Sequence, residues 1–459
     1  MQHVISEDLL RAYDIPGPRY TSYPTADRFV EAFGQDEYRT ALVQRREQRS
    51  ASPLSLYIHI PFCESVCYYC ACNKVVTKHH SKATEYLHYL SKELDLVAQD
   101  LGSGQRISQL HLGGGTPTFL SMEEMDDLMS MVRRQFELVP GGEYSIEIDP
   151  RTVSRERLKH LMSIGFNRLS FGVQDFDPVV QQAVHRVQPF EQVAELMAWS
   201  REIGFDSINL DLIYGLPMQT PESFARTLQQ VNSLRPDRIA LYGYAHLPNR
   251  FKPQRRIIEA ELPTGANKLH MLSMALDTLV AQGYVYIGMD HFALPNDALA
   301  VAKRQGRLHR NFQGYSTQPD CDLVALGVSA IGRVGASYSQ NAKTLEEYVD
   351  ALDQGRLPVI KGITLSRDDL IRRSVIMAIM CQGKIDFESF RLGQLAEFES
   401  LFAAELQRLK PLVEAGLVQI DPVGLTVTES GWYLVRAIAM VFDAYLQTDL
   451  DRARFSKII

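Results

Sequence analysis

Four cysteines fall within ten residues, Cys63, Cys67, Cys70 and Cys72, while Cys321 and Cys381 stand far downstream. Thiolates spaced four and then three residues apart on one loop can each take a different corner of a [4Fe-4S] cube, and a cube fully ligated by protein needs four. One held by only three keeps an iron open to another ligand. Structural zinc is a competing reading, but four-cysteine zinc sites usually combine two separated pairs, and no second pair is present. A dithiol from Cys67-Tyr68-Tyr69-Cys70 leaves Cys63 and Cys72 without a role. Disulfides conflict with the first thirty residues, which carry Glu7, Asp8, Arg11, Asp14 and Arg19 and no apolar core of signal-peptide length. A reducing cytoplasm is therefore the expected location.

Short β-type runs alternate with helical stretches from Leu54 onward: Leu54 to Ile60, Ile107 to Leu112, Glu143 to Ile148, Arg168 to Val173, Ser207 to Ile213 and Arg238 to Tyr244. Six βα units in succession imply a parallel sheet with helical crossovers. The stretch from Ser121 to Phe136 opens with a capping box, Ser121 and Glu124. A parallel strand covered on both sides reads as a nearly continuous apolar run, whereas these strands alternate. Leu54, Leu56, Ile58 and Ile60 oppose Ser55, Tyr57 and His59; Tyr144, Ile146 and Ile148 oppose Ser145, Glu147 and Asp149. With helices on the apolar face, the polar face looks into a concave interior, where a closed eightfold barrel would hold branched apolar side chains. The expected fold is α/β, an open, partial TIM-like (βα)6 barrel over 51–362, with a polar ligand in its bowl and the cysteine loop at the C-terminal end of the first strand.

Residues 1–50 read as a proline-rich arm followed by a charged helix, and 363–459 as a mostly helical domain. That domain has helices from Ser366 to Met380, Gly393 to Leu412 and Ser430 to Leu446, and a strand pair around Val418 and Thr426. Its order resembles a winged helix. The segment is not strongly basic and the chain's net charge is -7, so nucleic acid is not expected as a partner. No apolar run approaches the roughly 18 residues of a spanning helix, so no membrane is expected either.

Cys63-x-x-x-Cys67-x-x-Cys70, with Tyr69 before the third cysteine, resembles the signature of the radical S-adenosylmethionine enzymes. The resemblance implies that these three cysteines hold a [4Fe-4S] cluster and that S-adenosylmethionine chelates the fourth iron. Cys72 is expected near the cluster without ligating it. Gly113-Gly114-Gly115-Thr116-Pro117 is similar to the superfamily's glycine motif for the cofactor's amino end. Glu147 resembles the carboxylate that partners its ribose or amino group.

Longer stretches narrow the resemblance to the oxygen-independent coproporphyrinogen III oxidases. They include Pro16-Gly17-Pro18-Arg19-Tyr20-Thr21-Ser22-Tyr23-Pro24-Thr25, Cys70-Ala71-Cys72-Asn73-Lys74, Gly288-Met289-Asp290-His291-Phe292-Ala293 and His309-Arg310-Asn311-Phe312-Gln313-Gly314-Tyr315. Tyr57, Gly114, Glu147 and Ile331 then stand around the first S-adenosylmethionine. Tyr69, Gly115, Thr116, Gln174, Arg186, Asp211 and Ala245 match positions associated with a second molecule. Some relatives carry Phe where Tyr69 stands.

The implied reaction converts two propionates of coproporphyrinogen III to vinyl groups with loss of carbon dioxide, giving protoporphyrinogen IX, by radical chemistry that requires no protein acid or base. A flavodoxin or ferredoxin-type electron donor and a monomeric state are expected. Arg19, Tyr20 and Tyr23 are candidates for the substrate's carboxylates, as is the basic run Arg250, Lys252, Arg255 and Arg256; His291, His309 and Arg310 come next. A haem chaperone on the same scaffold is the alternative. Such relatives typically lack the Cys-x-Cys ending and the Pro-Arg-Tyr-Thr-Ser-Tyr arm, both present here.

Overall fold

The computed structural model describes residues 5–48, 52–318 and 320–448. The strands expected from the alternating runs all form: β1 (Leu54–Ile60), β2 (Gln105–Gly114), β3 (Phe136–Ile148), β4 (Arg168–Gln174), β5 (Ser207–Tyr214) and β6 (Arg238–Gly243). They lie side by side in chain order and parallel. Leu54, Leu56, Ile58 and Ile60 are fully buried on the face covered by helices such as Ser81–Leu101 and Met122–Gln135. The latter carries the expected reciprocal cap, with Ser121 Oγ accepting from Glu124 N–H at 3.1 Å and Glu124 accepting from Ser121 N–H at 2.8 Å.

The sheet is wider than six strands. Past β6 come β7 (Val285–Gly288), β8 (His291–Ala293), the separate hairpin β9 (His309–Asn311) and β10 (Gly314–Ser316), then β11 (Leu323–Leu326), β12 (Ile331–Val334), β13 (Ser337–Asn341) and β14 (Val359–Thr364). β11 joins parallel to the outer side of β1, so seven strands run parallel, and antiparallel strands extend both edges. The order is β14-β13-β12-β11-β1-β2-β3-β4-β5-β6-β8-β7, an open sheet in which β1 and β6 do not meet.

The polar face divides in two. At the N-terminal strand ends the β9–β10 hairpin narrows the bowl: Gln109 accepts from Ser55 Oγ at 2.8 Å and donates to Ser316 Oγ at 3.0 Å, and Arg168 pairs with Glu143 at 3.1 Å. Only the C-terminal half of the bowl is left for a large ligand.

Outside the sheet, Glu93 of the helix Ser81–Leu101 is buried beneath β11 and β13. It accepts from Gly327 N–H (2.7 Å), Asn341 Nδ2 (2.6 Å) and Tyr348 Oη (2.6 Å). Burial outweighs these donors and pushes its carboxyl up to about 7. Because the folded pKa lies above the unfolded one, the stability from proton uptake is fully present below pH about 4.5 and is lost as pH rises through about 7. The stability advantage of wild type over Glu93→Gln should therefore shrink by about 3 kcal/mol across that window. Urea unfolding of both proteins at several pH values checks it, and a constant difference would contradict it.

The C-terminal region departs from the expected elements. Arg367–Gln382 forms as one helix capped by Ser366. The expected helix from Gly393 to Leu412 is broken where Leu395 turns left-handed (φ 55°), giving Phe387–Gln394, Phe398–Leu401 and Ala403–Glu414. The breaks let Phe398 and Phe402 face inward, with ring centroids 4.9 Å apart. The strand pair gains a third member: β15 (Lys384–Asp386) and β16 (Val418–Ile420) flank β17 (Gly424–Val427).

The closing stretch is three short helices rather than one, Glu429–Tyr433, Val435–Met440 and Ala444–Thr448. Asp443, at the last break, accepts from the backbone of Tyr445 and Leu446. No helix among the described residues is long and apolar enough to cross a membrane.

Candidate active site

β1 runs straight into Pro61-Phe62-Cys63, and the cysteine loop that follows is tied down along its length. Tyr68 N–H donates to Val184 O (2.9 Å), Gln254 Nε2 to Tyr69 O (3.0 Å) and Lys74 Nζ to Cys70 O (3.3 Å). Cys63, Cys67, Cys70 and Cys72 all line a cavity of about 490 Å³ at the C-terminal ends of the strands. All six cysteines are free. Among the described residues no three His, Cys, Asp or Glu side chains converge closely enough to hold a single ion. Cys63, Cys67 and Cys70, spaced along one loop, suit three different irons better than one zinc.

The sulfurs are not bare. Thr116 Oγ1 donates to Cys63 Sγ at 3.4 Å, and Arg186 Nη1 donates to Cys67 Sγ at 3.4 Å. Arg186 also reaches Asp149 at 3.2 Å and Gly172 O, while Asp149 holds Arg151. Burial raises the carboxyl of Asp149, but Arg186 and Arg151 outweigh it and hold it below the ordinary value. Hydrogen bonds to ligand sulfur tune the potential of an iron–sulfur cluster.

The glycine loop enters the cavity beside these thiols because the β1–β2 register sets Ile60 opposite Gly114. Gly114 has φ +116°, and a Cβ on it would lie 2.5 Å from the His59 ring. Gly115 donates to Ile60 O at 2.8 Å, and a Cβ there would lie 2.7 Å from the carbonyls of Pro61 and Phe62. Those backbone atoms lead directly to Cys63 and cannot yield as a flexible side chain would. Gly115→Ala should displace the cysteine loop and cost about 1–3 kcal/mol, with iron content and turnover falling together; unchanged iron content would contradict this.

Across the cavity Glu147 accepts from Gly114 N–H (3.1 Å) and meets His111 Nε2 (3.2 Å). Burial raises the Glu147 carboxyl; His111 and Gly114 outweigh it and hold the group below its ordinary value, ready to accept from a hydroxyl or ammonium. Two strands along, Asp211 accepts from Asn209 (2.8 Å) and Ser170 (3.3 Å), and burial and then Glu147 push it up to about 7. Gln174, after a bulge in β4, is left-handed at φ 70°, a strained state of the kind that gathers at functional sites.

Thus Tyr69, Gly114, Gly115, Thr116, Glu147, Gln174, Arg186 and Asp211 line one cavity with the cysteines. Three expected cofactor residues do not. Tyr57 lies behind it, stacked on His111 at 5.9 Å and bonded to His59. Ala245 offers its carbonyl to Gln254, and Ile331 packs near Phe29 and Tyr338. Asp149, Arg151 and Ser170 line the cavity without having been singled out; the shared polar face of Glu147 and Asp149 was the available signal.

The expectation for Tyr20 and Tyr23 needs correction. Both are buried in the junction with the C-terminal region, where Tyr20 Oη donates to Asp443 (2.9 Å) and Tyr23 Oη accepts from Ala444 N–H (3.1 Å). Their hydroxyls are already used in packing, leaving none to offer a substrate. Arg19 does face the cavity wall, 5.4 Å from the Tyr242 ring centroid, and pairs with Asp290 at 3.3 Å. In the basic run, Arg256 lies over the Tyr68 ring at 5.3 Å, beside the cysteine loop.

Residues 57–231 match the model of the radical SAM superfamily, and 365–434 match the HemN C-terminal domain. The chain is 48% identical over 454 residues to the oxygen-independent coproporphyrinogen III oxidase of Pseudomonas aeruginosa, covering 98% of each. The chain belongs to this family. The Escherichia coli relative is 47% identical over 451 residues, again 98% of each chain. A solved structure described as coproporphyrinogen III oxidase (HemN) from Escherichia coli, a radical SAM enzyme, superposes with a TM-score of 0.91 at 46% identity, over 97% of this chain and 100% of that one. Family membership makes the chain an oxidoreductase of haem biosynthesis that uses a [4Fe-4S] cluster and S-adenosylmethionine. The donor set fits both: three separated thiols for the cluster, and carboxylates with glycine backbone beside them for the cofactor.

Proposed function

We infer that this chain converts two propionates of coproporphyrinogen III to vinyl groups, yielding protoporphyrinogen IX, with Cys63, Cys67 and Cys70 as cluster ligands. The observation that carries the reading is the single cavity in which those thiols, the glycine loop and Glu147 meet. We assign Gly114 and Glu147 to the cluster-bound S-adenosylmethionine, with Tyr57 and Ile331 supporting it from outside the wall. A second molecule is assigned to Tyr69, Gly115, Thr116, Gln174, Arg186, Asp211 and Ala245.

When bound, the cluster and S-adenosylmethionine supply one-electron reduction and hydrogen abstraction from the propionate, chemistry that side chains cannot perform. The protein's share is placement. Glu147 and Asp211 present acceptors from strands two apart, Arg186 and Thr116 donate to ligand sulfurs, and the β9–β10 hairpin narrows the bowl from below. No protein acid or base is assigned.

The same reading takes the enzyme to act as a monomer in a reducing cytoplasm, without nucleic acid or membrane. Its electrons would come from a flavodoxin or ferredoxin-type protein. The net charge of -7 supports the absence of nucleic acid. Anaerobic incubation of reconstituted protein with reductant, S-adenosylmethionine and coproporphyrinogen III tests the function: protoporphyrinogen and two equivalents of carbon dioxide are expected. A haem carrier would bind haem and yield neither.

A further inference from the structure

Arg310, on β9, is 5% exposed, and neither its Nε nor its Nη1 meets a hydrogen-bond partner. No carboxylate makes an ion pair with it among the described residues: Asp290 feels its charge but is paired with Arg19 at 3.3 Å, and the Arg310 guanidinium lies over the Tyr315 ring, 4.7 Å from the centroid. A cation taken out of water without a hydrogen-bonded counter-charge is costly, and arginine does not shed its proton to escape the cost. A buried water would satisfy an N–H but would not neutralise the charge.

The neighbours of Arg310 connect it to the active-site wall. Tyr315 meets the His291 ring edge-on at 5.7 Å, and His291 meets Tyr242 at 6.0 Å. Tyr242 lines both the cysteine cavity and a smaller polar cavity of about 160 Å³ beneath it, which His291 and Tyr315 also line. Arg19 lies over Tyr242. Its partner Asp290 sits in the two-residue turn between β7 and β8, where Met289 and Asp290 both hold positive φ, 42° and 69°. Side chains rarely accept that backbone twice in succession, and such strain persists where a group must be aimed. Burial and then the charge of Arg310 push His291 down to about 3, so this ring is neutral and adds no positive charge of its own.

We propose that Arg310, aided by Arg19, binds a carboxylate of the tetrapyrrole substrate, gripping a propionate other than the one undergoing reaction. The assignment rests on the coproporphyrinogen reading and adds to it a named anchor. Carboxylate is the ligand class that answers an unpaired guanidinium with charge-assisted hydrogen bonds.

The test compares coproporphyrin III, the stable oxidised macrocycle, with its tetramethyl ester, measuring the affinity of each for wild type, Arg310→Met and Arg310→Lys. In Arg310→Met the dissociation constant for the acid should rise about tenfold, the size of one lost charge-assisted hydrogen bond, while that for the ester stays the same. Arg310→Lys should recover part of the loss. Equal losses for acid and ester would mean that Arg310 only props the wall through Tyr315, and no loss for either would mean that no carboxylate reaches it; both overturn the proposal.

Iron and sulfide content reports folding. If Arg310→Met fails to load a cluster, Arg310→Lys carries the same comparison, and a rise for the acid alone is the supporting result. Turnover of coproporphyrinogen III by wild type separates this proposal from the reading beneath it. Wild-type turnover with unaltered acid binding in the variants sinks the anchor alone, whereas an acid-specific loss without wild-type turnover sinks the reaction and leaves the anchor.

Discussion

Cys63→Ala, Cys67→Ala and Cys70→Ala should each abolish iron–sulfur loading and reduce turnover to background, whereas Cys72→Ala should retain the cluster. The asymmetry follows from what each thiol touches. Cys63 and Cys67 receive hydrogen bonds from Thr116 and Arg186, groups placed to stabilise thiolate on a metal. Cys70 lies three residues beyond Cys67 and donates its backbone N–H to Cys67 O at 3.2 Å, so the two are fixed to the same turn. Cys72 lies past that turn with its thiol hydrogen-bonded to Cys70, and stands outside the three-cysteine motif. Losing one of three ligands leaves the cluster with two thiolates and a second open iron, a far larger change than altering a neighbour. Iron and sulfide analysis of the four variants reads the result directly; a cluster lost from Cys72→Ala would reassign the ligands.

Glu147→Gln should keep the cluster but lower turnover by about tenfold, with weaker binding of S-adenosylmethionine. The substitution preserves volume and one acceptor, so the fold has little reason to move. It removes the negative charge opposite His111 and Gly114, and hydrogen bonds to charged groups are worth about 1.5–3 kcal/mol against roughly half that for neutral ones. An amide also presents N–H where Gly114 N–H now donates, so one contact turns repulsive or the side chain rotates away. Equilibrium binding of S-adenosylmethionine to the anaerobic variant, alongside its iron content, is the check. Wild-type affinity would mean that Glu147 supports the strand without touching the cofactor.

The central sheet was legible because its chemistry is periodic. Leu54, Leu56, Ile58 and Ile60 against Ser55, Tyr57 and His59 gave both the strand and the direction of the bowl, and the structure buries the first set fully. β11 was missed for the complementary reason: Leu323–Leu326 is four residues, all buried, and so has no alternation to read. The β9–β10 hairpin was equally hidden, since nothing local says that Ser316 will meet Gln109 across more than two hundred residues of chain. The breaks at Leu395 and Asp443 answer tertiary demands, the inward turn of Phe398 and the bond from Tyr20, which override the helical pattern of those stretches.

At the site, the cysteine spacing and the glycine run were readable from residue type. Arg186 became visible only through resemblance, because its meaning depends on the ends of β3 and β4 lying side by side. Tyr20 and Tyr23 looked like ligand groups because they are polar tips in a distinctive arm; their burial against Asp443 and Ala444 shows that the arm is part of the core. Arg19 is the arm residue that reaches the cavity wall, over the Tyr242 ring.

Mössbauer spectroscopy of the anaerobically reconstituted protein, with and without S-adenosylmethionine, tests the central claim most directly. Three thiolate-ligated irons and one open iron predict that a single site in four changes its isomer shift when the cofactor is added, while the other three stay unchanged. A spectrum indifferent to the cofactor, or a protein that takes up no iron–sulfur cluster, would contradict the account.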